Sequence, residues 1–294
     1  MKSLLRKIRN KLIPVPIVNI PACPDTRPLI LNNQVAQRQL SFHYQHLKNN
    51  NLKLPNFNDT GFRVYSQNDE DGLLVFIFSL IGFTNKKLID MAFGSPYGAN
   101  TTNLLCNWYF HGLLVEGGDV SNGKDFFARH SDNSIYPPKL IQSWITAENV
   151  NKLCLDNSFS GEIDLFSLDI DGVDYWIWKA LDAVNPRVVV VEYLDILGSD
   201  KSLTVPYSLN FNRFDVHEDF FGASLPAFVK LAKEKGYRLV GVNKYGFNAF
   251  FVRNDLGKNY LPEIDVKSCF EHQKVKDGIR DRYPEVKGLG WVEV

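Results

Sequence analysis

Apolar positions along the chain fall into short runs, separated by stretches with helical spacing. In "YSQNDEDGLLVFIFSLIGF", Ser66 is placed as an N-cap, Asp69, Glu70 and Asp71 as a first turn, and the apolar residues as a face ending at Gly82. Each end of that helix has a physical cause: a capping hydroxyl, acids at the positive end of the dipole, and a glycine stop. Next, "KKLIDMAFG" is an apolar run closing on Asp90 and Gly94, and "HGLLVEGGD" is one closing on Glu116. "KLIQSWI" precedes "TAENVNKLCL", where Thr146 can cap a helix; "IDLFSLDID" and "RVVVVEYLD" follow, each beside helix-like sequence. Apolar strands alternating with helices predict a parallel sheet covered on both faces. The last pair of runs, in "YRLVGVNKYGFNAFFVRND", has only "NKYG" between its halves and predicts an antiparallel hairpin. The pattern is therefore α/β: a mostly parallel seven-stranded sheet with a C-terminal antiparallel hairpin.

The flanks read differently. Residues 1–60 form a helical extension, 61–256 the main domain and 257–294 a C-terminal extension. Leu4, Leu5, Ile8 and Leu12 share one side of a short helix, ringed by Lys2, Arg6, Lys7, Arg9 and Lys11. Residues 1–13 would suit peripheral contact with an anionic membrane, or packing on their own protein. A Pro-rich link and a helix over 33–49 follow.

Among 294 residues, 45% are hydrophobic and 13% aromatic, enough for a sizeable core. Lysine plus arginine equals aspartate plus glutamate at 33 each, which argues against a nucleic-acid-binding surface. Cys23, Cys106, Cys154 and Cys269 lie far apart, as reduced thiols of a cytoplasmic protein do, without zinc-ligand spacing. The basic start runs into Pro14 and Pro16 without a long apolar core, so no secretory signal is expected. The run "GLLVFIFSLIGF" is far short of the roughly 20 residues that span a bilayer.

Five βα units and a terminal hairpin resemble the layout of class I S-adenosylmethionine-dependent methyltransferases, a Rossmann-like fold. In open α/β sheets ligands bind beyond the carboxyl ends of the strands. There, "DMAFGSPYGANTTNLL" supplies Asp90, a turn built on Gly94 and Gly98, and Thr101 or Thr102 to start a helix. A glycine loop lets a methionyl carboxylate approach main-chain N–H groups. The usual acidic-x-Gly-x-Gly-x-Gly string is broken by Ala92 and Pro96, which leaves an ordinary βα loop as the plain alternative. Glu116, ending the second strand, is placed to accept both ribose hydroxyls of an adenosyl group. The same acid would suit a nicotinamide-dependent oxidoreductase, but GxGxxG is missing at the required spacing.

From about Tyr65 to Asn254 the chain is similar to the FkbM-like group of these methyltransferases. The matching pieces are "SQNDEDG", "LIDMAFG…NTTNLL", "GLLVEGGD", "WITAENVNKL", "IDLFSLDIDGVDYWIWKAL", "PRVVVVEY", "FFGASLPAFVKLAKEKGYRLVG" and "GFNAFFVR". The resemblance implies S-adenosylmethionine as methyl donor and a hydroxyl of a sugar, polysaccharide precursor or natural product as acceptor. Asp169 then ends the fourth strand, Asp171 enters the next helix, and Glu192 ends the fifth strand. These hard oxygens suit a magnesium-type ion, as in the similar macrocin-type sugar O-methyltransferases, where the first acid binds metal and the second is the base. That family has paired aspartates at strand five, whereas this chain has "EYLD". Without metal, a carboxylate can still act as general base, and capping a helix is the structural alternative for Asp171. His217, in "RFDVHEDFFGASL", is a further candidate base or a solvated histidine. Asn248 is expected to satisfy a turn, and Trp176 and Trp178 to pack. A non-catalytic Rossmann-like binding module is the reading from another class.

Overall fold

The computed structural model describes residues 27–294; the amphipathic segment 1–13 and Cys23 lie outside the described residues. Residues 40–294 form one compact unit, and the described residues 27–39 belong to another. The helix expected over 33–49 runs Arg27–Asn49.

Seven strands form the central sheet: β1 (Lys87–Met91), β2 (His111–Glu116), β3 (Lys139–Gln142), β4 (Gly161–Leu168), β5 (Val184–Glu192), β6 (Tyr237–Val242) and β7 (Asn248–Arg253). Their order is β3-β2-β1-β4-β5-β7-β6, with β1 to β5 parallel and β7 antiparallel to both neighbours. This is the mostly parallel seven-stranded sheet that the pattern predicts, hairpin included. Its switch point lies between β1 and β4, where the chain reverses its direction of growth across the sheet.

Alternation along the strands divides the core. Ile89, Met91, Val189 and Val191 face one apolar layer, with Trp178 and Phe228 from the helices Asp174–Ala180 and Leu225–Glu234. Leu88, Val188 and Val190 face the other, against the helix Glu70–Ile81. Trp178 is core, as expected, while Trp176 is half-buried and donates its indole N–H to the Val205 carbonyl at 2.8 Å. The Glu70–Ile81 helix is apolar all round because it is covered all round. Its Gly72 is required: a Cβ there would lie 2.2 Å from the Phe62 amide nitrogen.

That helix begins at Glu70, not just after Ser66. The Asp71 carboxylate accepts the backbone N–H groups of Val64, Tyr65 and Ser66 at 2.6–2.9 Å and curls the segment back over the first turn. Ser66 Oγ still accepts from the Asp71 N–H at 3.2 Å. The helix after β3 begins at Val150, and the cap expected at Thr146 is instead a reciprocal pair in the turn before it. Thr146 Oγ1 accepts the Asn149 N–H at 3.2 Å, and Asn149 Oδ1 accepts the Thr146 N–H at 2.9 Å.

The amino-terminal edge of the sheet is tied by a buried ion pair. Asp164 on β4 meets Arg187 on β5 at 2.8 Å and accepts the N–H groups of Thr84, Asn85 and Lys86. Arg187 also donates to the carbonyls of Ile81 and Gly82, closing the end of the helix. At the C-terminus, Cys269, Phe270 and Val275 pack into the first apolar layer, and Lys274 pairs with Asp195 at 2.8 Å. Cys106, Cys154 and Cys269 are free and buried. Among the described residues, no helix is long and apolar enough to cross a membrane.

Candidate active site

Beyond the carboxyl ends of β1, β2 and β4 opens a cleft of about 600 Å³, whose lining includes Asp90, Gly94, Gly98, Glu116, Asp169 and Asp171. The switch point of the sheet puts it there: the loops after β1 and β4 leave toward opposite faces, and the gap between them is the cleft.

The glycine loop is held open by Glu116. Its Oε2 accepts the Gly94 N–H and its Oε1 the Gly118 N–H, each at 2.8 Å. A carboxylate offers about four acceptor positions, so about two are left unused by these bonds, and Glu116 lines the cleft. Gly94 and Gly98 have φ of +64° and +118°, values that a side chain rarely adopts. Ala92 stands at the first glycine position of the broken string and takes φ +65° all the same. The loop therefore keeps a glycine-type path without the glycine, at a cost of about 1–2 kcal/mol in backbone strain.

Asp90 and Thr101 meet behind the loop. The Thr101 hydroxyl donates to Asp90 Oδ2 at 2.6 Å, and both residues are buried. Burial pushes Asp90 up to about 7, against the hydrogen bonds from Thr101 and Ser167. Thr101 thus braces the strand end, its hydroxyl turned to Asp90 rather than to the cleft.

The acids after β4 and β5 converge. One carboxylate oxygen from each of Asp169, Asp171 and Glu192 lies within 4.8 Å of the others. Asp169 is anchored by its N–H on the Met91 carbonyl at 3.2 Å, which brings the end of β4 to that of β1. Burial first, then the charge of Asp174, pushes Asp169 up to about 7. Burial and the facing Asp169 raise Glu192 well above the carboxylate range. Two carboxyls this close cannot both ionise cheaply, so the pair holds a proton more tightly than two separate acids would. Three hard oxygen donors on neighbouring strand ends also match the ligand chemistry of a magnesium-type ion.

Asp171 has φ +55°, an uncommon backbone for a residue with a side chain, and is half-exposed. Its carboxylate meets Arg213 at 2.6 Å. Turn capping falls to Asp174, which accepts the N–H groups of Ile170 and Gly172 at 2.8 and 2.9 Å. The ring of His217 has other partners: its Nε2 lies 3.5 Å from Glu285, and its Nδ1 accepts the Asp219 N–H. Asn248 does not close the hairpin turn with its side chain, contrary to expectation. Asn243 does so, its Oδ1 accepting the N–H groups of Phe247 and Asn248, and the Asn248 amide reaches Glu70 instead.

Sequence reasoning missed a second compartment. An apolar slot of about 150 Å³ adjoins the cleft, sharing Ala92, Glu116 and Ile170 with it, and is walled by Trp144, Ile145, Leu209 and Phe211. Trp144 is 60% exposed, and its ring lies so near Gly117 that a Cβ there would come within 3.1 Å of it. The signal was present in "KLIQSWI": a tryptophan just past a strand end. Arg213 had no signal, because it lies in irregular sequence 42 positions from Asp171.

No protein-family model and no curated protein matches the chain. Among solved structures, an O-methyltransferase family protein from Burkholderia thailandensis aligns over 86% of this chain and 69% of its own, at 10% identity and a TM-score of 0.39. The pyocyanin biosynthetic protein PhzM aligns over 60% of this chain at 15% identity and a TM-score of 0.37; the match spans 53% of PhzM. An O-methyltransferase from Bacillus cereus, solved in complex with SAH, aligns over 85% of this chain and 95% of its own, at 10% identity and a TM-score of 0.34.

Proposed function

We propose that this chain is an S-adenosylmethionine-dependent methyltransferase whose acceptor is a hydroxyl of a sugar, polysaccharide precursor or small natural product. One observation carries the reading. A single cleft at the strand ends joins a carboxylate with open acceptor positions, a glycine loop and a cluster of acids, and an apolar slot sized for a flat base adjoins it. The 61–256 segment holds the strand ends that build it.

In this reading Glu116 takes the two ribose hydroxyls on its open acceptor positions, and Trp144, Ile145 and Phe211 enclose the adenine. Gly94 and Gly98 let the amino-acid end approach the main chain. The donor brings a sulfonium that already activates its methyl group. The protein therefore has to align the acceptor and take its proton. Asp169 serves as general base, since a group pushed to about 7 is matched to proton transfer near neutral pH. Asp171, gripped by Arg213, orients the acceptor; His217, which is not among the cleft's lining residues, takes no part. A magnesium-type ion on Asp169, Asp171 and Glu192 would add positive charge beside the acceptor hydroxyl. Calorimetric titration with S-adenosylmethionine and S-adenosylhomocysteine, with NAD as control, tests the reading. Saturable heat is expected with the first two. Binding of NAD alone, or of none of them, would overturn it.

A further inference from the structure

Glu70 is a carboxylate at 0% exposure, in the "SQNDEDG" stretch to which the chemistry above gives no part. It accepts from the Asn68 N–H at 2.9 Å, Asn243 Nδ2 at 2.9 Å and Asn248 Nδ2 at 3.0 Å. A carboxylate only accepts, so both amides must turn their nitrogens toward it. Asn243 is locked from its other end as well, because Oδ1 accepts the N–H groups of Phe247 and Asn248 at 2.7 and 2.9 Å.

The consequence passes along the chain of amides. With its nitrogen spent on Glu70, Asn248 turns Oδ1 toward Asn100, whose Nδ2 lies 3.5 Å away. The same Nδ2 lies 3.4 Å from Ser167 Oγ. Both protons of the Asn100 amide thus have an acceptor within 3.5 Å inside the protein, while Asn100 itself lines the cleft. What it has left to offer a ligand is its carbonyl oxygen.

We propose that Glu70 is a positioning residue. By setting the orientation of Asn248 and so of Asn100, it makes the cleft present an acceptor that selects the α-ammonium of the methyl donor's amino-acid end. Charge agrees: the cleft lining includes Asp90, Glu116, Asp169 and Asp171 and neither lysine nor arginine. The inference rests on the methyl-donor reading of the cleft.

Two ligands separate the inference from that reading: S-adenosylhomocysteine, which carries the ammonium, and 5′-methylthioadenosine, which keeps the adenosyl part and lacks the amino acid. In calorimetry, Glu70→Gln and Asn100→Leu are expected to weaken S-adenosylhomocysteine about tenfold or more. They should leave 5′-methylthioadenosine within roughly twofold. Asn100→Asp, which keeps an acceptor, should retain S-adenosylhomocysteine. Unchanged S-adenosylhomocysteine affinity in a folded Glu70→Gln or in Asn100→Leu, or an equal loss of both ligands, overturns the proposal; so does an Asn100→Asp variant as weak as Asn100→Leu. If Glu70→Gln does not fold, the two Asn100 variants decide. If the wild-type protein binds neither ligand, the donor reading itself fails and takes this inference with it.

Discussion

Replacing Glu116 tests how one carboxylate can serve the loop and a ligand together. Two of its acceptor positions hold Gly94 and Gly118 at 2.8 Å, and about two are left for a ligand in the proposed reading. Glu116→Gln keeps the size but trades one oxygen for an NH₂ group, so one loop N–H and one ribose hydroxyl lose their acceptor. The glycine N–H groups are partly exposed, so water replaces much of what the loop loses. The ribose bond is the larger loss, about 1.5–3 kcal/mol for a hydrogen bond to a charged group. Donor or product affinity should therefore fall about 10- to 100-fold. Glu116→Ala removes both ribose bonds, roughly 3–6 kcal/mol before relaxation, and should weaken binding by 100-fold or more. Calorimetric titration of S-adenosylhomocysteine reads both variants, with thermal unfolding run alongside to show that the sheet is intact. An Ala variant with unchanged Tm and affinity within about threefold of wild type would refute the assignment, and a Gln variant weaker than Ala would refute the lone-pair argument.

Asp169→Asn should lower turnover about 100-fold while leaving donor affinity nearly unchanged, since it removes the proposed base and little volume; steady-state kinetics with calorimetry checks both halves. Asp164→Ala strands Arg187 and three backbone N–H groups, and should cost about 3–5 kcal/mol in urea unfolding. A loss below about 1 kcal/mol would mean that water fills the gap. Asp169 is raised to about 7, so the folded protein holds a proton there that the unfolded chain releases near pH 4. Its contribution is fully present below pH 4 and is lost as pH rises through 7. In chelator, then, Tm should fall between pH 5 and 8 more steeply for wild type than for Asp169→Asn, and equal slopes would contradict it.

Much of the fold was legible because each strand is a short apolar run with its own punctuation. Val188–Val191, four β-branched residues in a row, read as a strand buried on both faces, and the "NKYG" link is short enough for a hairpin. Glu116, Asp169 and Glu192 could be found because an acid ending an apolar run is conspicuous. What stayed hidden depends on contacts between distant residues. The start of the Glu70–Ile81 helix was misplaced because Asp71 folds the preceding backbone onto itself. Asn243 and Asn248 could not be told apart, because which amide closes the turn depends on Glu70, more than 170 positions away. Trp144 read as the tail of a strand, and only the approach of Leu209 and Phe211 turns it into the wall of a slot.

The antiparallel insertion of β7 has a consequence for how the chain must be made. β5 is complete at Glu192, but the strand that covers its outer edge begins only at Asn248. Through that stretch of synthesis, Val188–Val191 present a flat row of unpaired amides and carbonyls flanked by apolar side chains, the kind of edge that recruits other chains. β6 emerges first yet cannot seal the gap, because its place in the sheet is outside β7. The nascent chain therefore carries an adhesive edge until Arg253 has left the ribosome, and a product terminated before Asn248 would carry it permanently. The terminal hairpin is thus the step that ends the protein's exposure to aggregation during biogenesis.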